Sequence, residues 1–171
     1  KGHYFNRAYF ITPLAEKMLC QQKNSNTKIS GSEKYPMEWF EDIETTQPPR
    51  FSLFNSPFGR FIVLIGQDIK EHGQYIPFIA REKNLDFVIF MNNGIESENS
   101  FTKYRELADE SNIPVLYVNS GQFSGSGIYE PGKKVENILR KEYQEGIISW
   151  KKKIPPVSEA IPPKAENSEN I

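Results

Sequence analysis

The stretch from residue 84 to residue 134, NLDFVIFMNNGIESENSFTKYRELADESNIPVLYVNSGQFSGSGIYEPGKK, decides the fold. It contains an apolar run at 85–91, a helical pattern at about 97–111 and a second apolar run at 113–118. Strand, helix and strand with short joints form a parallel crossover unit. Because both apolar runs are continuous rather than alternating, they predict strands that are covered on both faces of a sheet.

A second crossover unit precedes this stretch. The run RFIVLI at 60–65 predicts the first parallel strand, and Gly66 closes it. The helix that follows is interrupted in the pattern by Gly73 and Pro77, which predict a kink or a late start. Residues 51–54 and 60–65 flank NSPFG and predict either a hairpin or a strand that enters the sheet. The fold class predicted is α/β, a three-layer flavodoxin-like or Rossmann-like domain with a short parallel sheet.

Three regions are expected along the chain. Residues 1–50 form an N-terminal extension with one short helix, which begins at Thr12-Pro13 and runs to about Lys23. Residues 51–150 form the α/β domain, which ends with a helix at about 133–143. Residues 151–171 form a Pro- and Glu-rich C-terminal tail, read as a solvated tail rather than a docking segment.

Composition limits the function classes. The 171 residues carry a formal net charge of -1, so the chain has no global attraction to nucleic acid and contacts must come from local patches. The single cysteine, Cys20, excludes an internal disulfide and a multi-cysteine zinc site. No apolar run approaches the roughly 20 residues that span a bilayer, so no membrane contact is expected.

Candidate chemistry concentrates at the rim where the parallel strands end. The Gly-rich loop Ser120–Gly127 matches neither GxGxxG nor a Walker loop, and a surface loop is the preferred interpretation. Asp68 follows the first strand, and capping of a helix explains it. As an alternative, the rim forms a nucleotide or small-ligand site in a binding domain or enzyme. Its residues would be Asp68, Asn92, Asn93, Ser120 and Gly121.

No catalytic or metal-binding set stands out in the sequence. His3, His72 and Cys20 lack metal-ligand spacing, so no metal and no cofactor are expected. No Ser/His/Asp set or paired carboxylates stand out either. The chain is therefore expected not to be an enzyme.

Local basic groups predict contacts with RNA. The cations lie beside aromatic residues or at a helix start, where an RNA phosphate would compensate them. They are Arg7, Lys133, Lys134, Lys151, Lys152 and Lys153.

Over about 55 residues the chain resembles the small-subunit ribosomal protein family numbered two in the universal naming. The motifs are LDFVIF at 85–90, NIPVLYV at 112–118 and YEPGKK at 129–134, with the strand at 61–65 before Gly66. Three family features differ: D-T-N falls on Ser120-Gly121-Gln122, N-D-D becomes Lys133-Lys134-Val135, and the long helical hairpin between the central strands is missing.

The resemblance implies a structural protein of the small ribosomal subunit, in a divergent mitochondrial form. Its partners would be ribosomal RNA and neighbouring ribosomal proteins, contacted through the N- and C-terminal extensions, and its location the mitochondrial matrix. A role in translation without catalysis follows from that reading. The alternatives are the small-ligand domain with its site at the rim, and a protein-interaction module in another assembly.

Overall fold

The fold is described from a computed structural model. The residues that it describes are 6–11, 18–26, 28–29, 39–40, 48–93, 98–120 and 125–133. Structural statements below refer to these residues.

A five-stranded sheet forms the centre of the molecule. Its strands are β5 (Phe54–Ser56), β6 (Gly59–Ile65), β7 (Phe87–Asn92), β8 (Val115–Asn119) and β9 (Gly127–Tyr129). They lie in the order β5-β6-β7-β8-β9. The pairs β6–β7 and β7–β8 are parallel, whereas β5 and β9 join the two edges antiparallel. The α/β class predicted from the sequence is therefore confirmed.

Helices cover one face of this sheet. They are α1 (Asp68–His72), one turn of 3-10 helix (Gly73–Tyr75), α2 (Ile76–Lys83) and α3 (Glu98–Ser111). In α3 the buried side chains of Tyr104, Leu107 and Ala108 recur at helical spacing and so face the sheet. They pack with Leu64 and Val88 from the parallel strands. Burial of this kind stabilises the fold by about 25 cal/mol per Å² of apolar surface.

The predicted interruption of the first helix is confirmed. α1 ends at His72, the 3-10 turn begins at Gly73, and α2 begins at Ile76 with Pro77 in its first turn. Proline is tolerated there because its missing N–H has no partner within the helix. The hairpin alternative at residues 51–65 is also confirmed, since β5 pairs antiparallel with β6.

An antiparallel hairpin contacts the other face of the sheet. It consists of β1 (Arg7–Ile11) and β2 (Met18–Gln22), with Tyr9 opposite Cys20. Ala8 and Phe10 pack on an aromatic cluster that includes Phe54 and Phe61. The rings of Phe10 and Phe61 lie 5.7 Å apart in an edge-to-face arrangement, a preferred geometry for aromatic pairs.

The helix predicted from Thr12 to Lys23 is wrong at its C-terminal half, because residues 18–22 form β2. Residues 12–17 lie outside the described residues. Helix propensity is a weak preference that tertiary contacts override. Here β2 pairs with β1, and the backbone N–H of Asn24, just after β2, donates to the buried carboxyl of Asp68. The remaining strands of the described residues are β3 (Lys28–Ile29) and β4 (Trp39–Phe40), which are very short and pair with each other.

Three sequence predictions stay untested by this fold. The C-terminal helix at 133–143 and the tail at 151–171 lie almost wholly outside the described residues, and the domain division at residues 50 and 150 stays a prediction. Among the helices of the described part of the chain, none combines the length and the apolar character that crossing a membrane requires.

Candidate functional site

The carboxyl ends of β6, β7 and β8 meet at one edge of the sheet. Ile65 lies opposite Met91, and Asn92 lies opposite Asn119. The backbone N–H of Gly66 donates to the carbonyl of Met91 over 2.9 Å, which fixes the turn after β6 against the end of β7. Ligands of open α/β sheets bind at this edge, so the side chains that reach it define the candidate site.

Asp68 is fully buried at this edge and connects two distant parts of the chain. Its Oδ1 accepts hydrogen bonds from the backbone N–H of Asn24, at 2.9 Å, and from Oγ of Ser25, at 2.7 Å. Its Oδ2 accepts from the backbone N–H of Ile65 at 3.1 Å. The capping role predicted for Asp68 is therefore wrong. Gln67 is the N-cap residue, and no side-chain cap bond is present there.

Burial determines the electrostatics of Asp68. It raises the pKa of this carboxyl above its ordinary value of 3.8, while the hydrogen bonds from Ser25, Ile65 and Asn24 and the nearby charge of His72 lower it in part. A carboxyl whose environment is this polar and this buried is typical of functional sites, although structural networks produce the same pattern. Its hydrogen bonds hold residues 24 and 25 against the end of β6.

A second set of bonds secures the same segment to the chain before β5. Asn24 and Arg50 exchange two hydrogen bonds of 3.0 Å, each joining a backbone group to the Asn24 amide. The buried amide of Gln21 accepts from the N–H of Ser52 at 2.6 Å and donates to the carbonyl of Arg50 at 2.9 Å. The segment at residues 21–25 is thus held from both sides.

Lys23 lies in the middle of that segment and is 2% exposed. Its backbone N–H donates to the carbonyl of Asn6 over 2.8 Å, which orients the residue at the end of β2. Its side chain reaches the turn after β6. A Cβ placed on Gly66 would lie 3.1 Å from Cε and 3.2 Å from Nζ of Lys23. The Lys23 side chain therefore fills the space into which a side chain at position 66 would project, and Gly66 itself is half-buried.

These polar residues form the Lys23–Asp68 cluster, defined as Gln21, Lys23, Asn24, Ser25 and Asp68. They are five of the six buried polar or charged residues among those that the structure describes. Polar groups lose hydration when buried and are retained where hydrogen bonds or function compensate the cost. The cluster is therefore the candidate functional site.

The end of β8 is built from uncharged groups. The sixth buried polar residue, Asn119, donates its backbone N–H to Oγ of Ser126 at 2.9 Å, and that hydroxyl donates to the Asn119 carbonyl at 3.2 Å. Oδ1 of Asn119 accepts from the N–H of Ser120 at 3.0 Å. The Gly-rich loop thus leads into β9, an antiparallel edge strand.

The structure brings part of the predicted rim set together. Asp68 and Asn92 lie at the ends of neighbouring strands, Ser120 follows β8, and Asn93 is exposed after β7. Gly121 lies outside the described residues.

The predicted RNA contacts are only partly described. Arg7 is exposed on β1, and its Nε and Nη2 donate to Oε1 of Gln22 at 3.4 and 3.3 Å. Lys133 is exposed, and its Nζ lies 3.0 Å from both carboxylate oxygens of Glu130. Lys134, Lys151, Lys152 and Lys153 lie outside the described residues. RNA binding by these six residues stays a prediction.

The sequence did not predict Lys23, Asn24 or Ser25 as site residues, because the polar run at 24–34 is typical of a loop. Their partner Asp68 is 43 and 44 residues away from Ser25 and Asn24. A bond across such a separation leaves no local periodicity. One signal was present: a glycine and an aspartate, Gly66 and Asp68, directly after a buried strand.

Comparison with known proteins gives no family. No family model matches the chain. Among curated proteins, it is 30% identical over 105 residues to the chaperone protein HtpG of Borreliella burgdorferi and 29% identical over 105 residues to HtpG of Borreliella afzelii. Each match covers 61% of this chain and 16% of the chaperone.

Solved structures resemble the fold over most of the chain. A glutamine-dependent NAD+ synthetase from Acinetobacter baumannii superposes with a TM-score of 0.63 and 15% identity, covering 85% of this chain and 28% of the synthetase. An amidase of the nitrilase superfamily from Nesterenkonia superposes with a TM-score of 0.60 and 16% identity, covering 78% of this chain and 50% of the amidase. The chain thus spans half or less of these enzymes.

These structures correct the expectation that the chain is not an enzyme. The same fold carries an NAD+ synthetase and an amidase, so the fold is an enzyme fold. The expectation depended on the lack of a catalytic motif in the sequence. The lack of a motif does not decide the question, because a site assembled from separate segments of a chain produces no motif. The ribosomal role and the mitochondrial location stay predictions.

Proposed function

We propose that this chain forms a small-ligand site in an enzyme-type α/β domain, and that the ligand carries a carboxamide or a carboxylate. The observation that carries the proposal is the buried Lys23–Asp68 cluster at the carboxyl end of β6, the edge at which open α/β sheets bind ligands. A lysine side chain donates hydrogen bonds and accepts none when protonated. It therefore suits an oxygen acceptor, which both an amide carbonyl and a carboxylate provide.

The solved structures favour the same ligand chemistry. The synthetase depends on glutamine, and the amidase has been captured with butyramide and with adducts of acrylamide and fluoroacetamide. All four molecules carry a primary carboxamide. These structures match 78–85% of this chain. The ligand class that they share is therefore a more specific guide to the ligand than the fold alone, since α/β folds host many functions.

The described residues argue against a nucleotide at the Gly-rich loop. A phosphate-binding loop places backbone N–H groups before a helix N-terminus, whereas the chain here passes from Gly125 and Ser126 into the strand β9. This favours a ligand site at the end of β6 over one at the end of β8. In the proposed binding mode Lys23 recognises the ligand oxygen, while Asp68 holds residues 24 and 25 in place.

The only thiol of the sequence, Cys20, lies on β2 and borders an open surface cavity with Arg7 and Ser52. The three atoms nearest to a Cβ at position 66 all belong to Lys23. We therefore propose binding of the ligand and no covalent step by a residue of this chain.

Ligand-induced stabilisation tests the proposal. Butyramide and butyrate are added separately to the full chain, and the melting temperature is followed over a concentration series, with ADP as the comparison ligand. A ligand that binds only the folded state raises the melting temperature as its concentration rises. Stabilisation by butyramide alone identifies an amide site, and stabilisation by butyrate alone identifies an acid site.

A lysine pair provides the control variants. Lys23→Met removes the buried donor, and Lys70→Met removes an exposed lysine on α1. We expect Lys23→Met to weaken binding by about tenfold or more, the loss typical of a hydrogen bond to a charged group, and Lys70→Met to leave it unchanged. Wild-type protein that neither butyramide nor butyrate stabilises, or equal affinity in both variants, contradicts the proposal.

A further inference from the structure

A surface cavity of about 350 Å³ lies against β2 and the segment that leads into β5. Cavities that bind small molecules have volumes of roughly 300–1,000 Å³. Arg7 and Arg50 border this cavity together with neutral polar residues, among them Gln21, Asn24 and Ser52. None of the described residues that border it is acidic. The cavity is therefore positively charged, although the whole chain carries a formal net charge of -1.

Buried amide side chains fix the backbone of Arg50 at the cavity. Asn24 exchanges two hydrogen bonds of 3.0 Å with the N–H and the carbonyl of Arg50, and Gln21 donates to the same carbonyl at 2.9 Å. Gln21 and Asn24 are 1% and 3% exposed, so water competes little for these bonds. The exposed side chain of Arg50 therefore projects from a backbone whose position is fixed relative to β2.

Arg7 reaches the same cavity from β1. It lies opposite Gln22 in the β1–β2 pair, and its Nε and Nη2 donate to Oε1 of Gln22 at 3.4 and 3.3 Å. This contact orients the guanidinium across the hairpin. Two positive groups that border one cavity repel each other, and an anion bound between them would offset that repulsion.

We propose that this cavity binds the phosphate group of a small molecule between Arg7 and Arg50. Arginine forms paired, charge-assisted hydrogen bonds with phosphate oxygens. A phosphate monoester carries nearly two negative charges at neutral pH, which matches the two arginines. The charged residues of this phosphate site differ from Lys23 and Asp68, so it is a second site beside the one proposed for the carboxamide or carboxylate.

Calorimetric titration of the full chain with methyl phosphate, in a phosphate-free buffer of low salt, tests the phosphate site. Arg7→Gln and Arg50→Gln each remove one charge from the cavity. We expect each to weaken binding by about tenfold or more, the loss typical of a hydrogen bond to a charged group. Arg81→Gln is the matched control, because the Arg81 side chain is 77% exposed on α2, and it should leave the affinity unchanged. Added salt should weaken binding to the wild type, since it screens exposed charges.

The thiol of Cys20 reports whether phosphate enters this cavity. It is the only thiol of the sequence and belongs to a residue that borders the cavity. Iodoacetate and iodoacetamide both alkylate a thiolate: the S–C bond forms, the C–I bond breaks and iodide leaves. Because both reagents attack the same thiolate, the ratio of their rates measures how strongly the surroundings attract a negative reagent, whatever the thiolate fraction.

We expect the ratio of the iodoacetate rate to the iodoacetamide rate to fall several-fold in Arg7→Gln and in Arg50→Gln, and to stay unchanged in Arg81→Gln. Methyl phosphate should lower the same ratio in the wild type in a saturable way, because it occupies the positive cavity. Mass spectrometry of the alkylated peptide follows both rates. Calorimetry decides alone if Cys20 reacts too slowly to follow.

Absence of methyl phosphate binding, or equal affinity in the wild type, Arg7→Gln and Arg50→Gln, would overturn the phosphate site. A short RNA without a terminal phosphate that binds through these arginines while methyl phosphate does not would overturn it too, in favour of an RNA contact. So would phosphate binding that Lys23→Met abolishes and Arg50→Gln preserves. Butyramide or butyrate binding that depends on Lys23 and not on Arg50 keeps the proposed function in each of these cases.

Discussion

The ends of β6 and β8 lie on the same edge of the sheet but are held in different ways. At β6, the carboxyl of Asp68 is bonded to Asn24 and Ser25, which are 44 and 43 residues away. At β8, Asn119 is bonded to Ser126, only 7 residues away. The first end brings in a charged side chain from a remote hairpin, and the second closes a local hairpin with uncharged groups.

The difference between the two ends motivates the proposal that the ligand site lies at the end of β6. A buried carboxyl and a buried lysine lose much more hydration than an amide and a hydroxyl, so the β6 end carries the larger desolvation cost. Its hydrogen bonds offset part of this cost. Their geometry also fixes the position of the Lys23 amine beside Gly66. The β8 end stabilises a turn, whereas the β6 end packs a lysine side chain against the turn at Gly66.

The largest difference between the two ends is expected for Asp68→Ala. This change leaves three donors without their acceptor, two of them backbone N–H groups. Because each unsatisfied buried donor costs about 1–3 kcal/mol, we expect the free energy of unfolding to fall by about 3 kcal/mol or more. Urea unfolding followed by circular dichroism measures the loss. If Asp68→Ala lowers the free energy of unfolding less than Ser126→Ala does, the hydrogen bonds at the β6 end stabilise the fold no more than a local turn.

Gly66→Ala and Gly132→Ala sharpen the comparison at the backbone level. Each alanine adopts a left-handed conformation, which costs about 1–2 kcal/mol, so backbone strain is similar in both variants, and Gly66→Ala should lose the additional stability that its tight contact with Lys23 costs. Only Gly66→Ala places a methyl group against Cε and Nζ of Lys23. We expect it alone to weaken the binding of butyramide or butyrate, as measured by isothermal calorimetry. Equal affinity in the two variants would exclude Gly66 from the proposed ligand site.

Ser126→Ala should have a smaller effect at the β8 end. The variant loses one acceptor and one donor at Asn119, and about 1 kcal/mol is the usual net value of such a hydrogen bond. Urea unfolding checks the stability, and calorimetry with butyramide and butyrate checks the affinity. Affinity should be unchanged. If it fell as in Lys23→Met, the ligand site would extend to β8.

The smallest effect is a gradual dependence on pH. Burial raises the pKa of Asp68 above 3.8, so the folded state binds this proton more tightly than the unfolded state. As pH rises from 3.8 through the raised pKa, the folded state holds the extra proton and stability falls. Below 3.8 the carboxyl is protonated in both states and contributes no slope.

Asp68→Asn isolates that contribution because its side chain does not titrate. We expect the difference in unfolding free energy between the wild type and this variant to decline as pH rises through the window, measured by urea unfolding at closely spaced pH values. A difference that is constant, or that grows with pH, contradicts the raised pKa. No such pH-dependent difference is expected for Ser126→Ala, since neither a hydroxyl nor an amide titrates there.

Local patterns predicted the sheet and its helices well. The continuous apolar runs became β6, β7 and β8, and the helical pattern near residues 97–111 became Glu98–Ser111. Gly73 and Pro77 marked the break between α1 and α2. These predictions succeeded because periodicity and helix breakers act within a few residues. The helix expected up to Lys23 failed because a strand pairing with β1 decided that segment.

The sequence by itself determined the α/β class, the parallel strands and the rim at which a site would lie, since each depends on apolar runs and short connections. Only the tertiary structure decided that Asp68 braces residues 24 and 25 and that Lys23 borders Gly66. Those contacts join segments about 40 residues apart or more, and their hydrogen bonds depend on where the β1–β2 hairpin rests on the sheet. No local pattern encodes that placement, because it follows from the packing of Phe10 on the aromatic face and from the burial of the polar segment beside it.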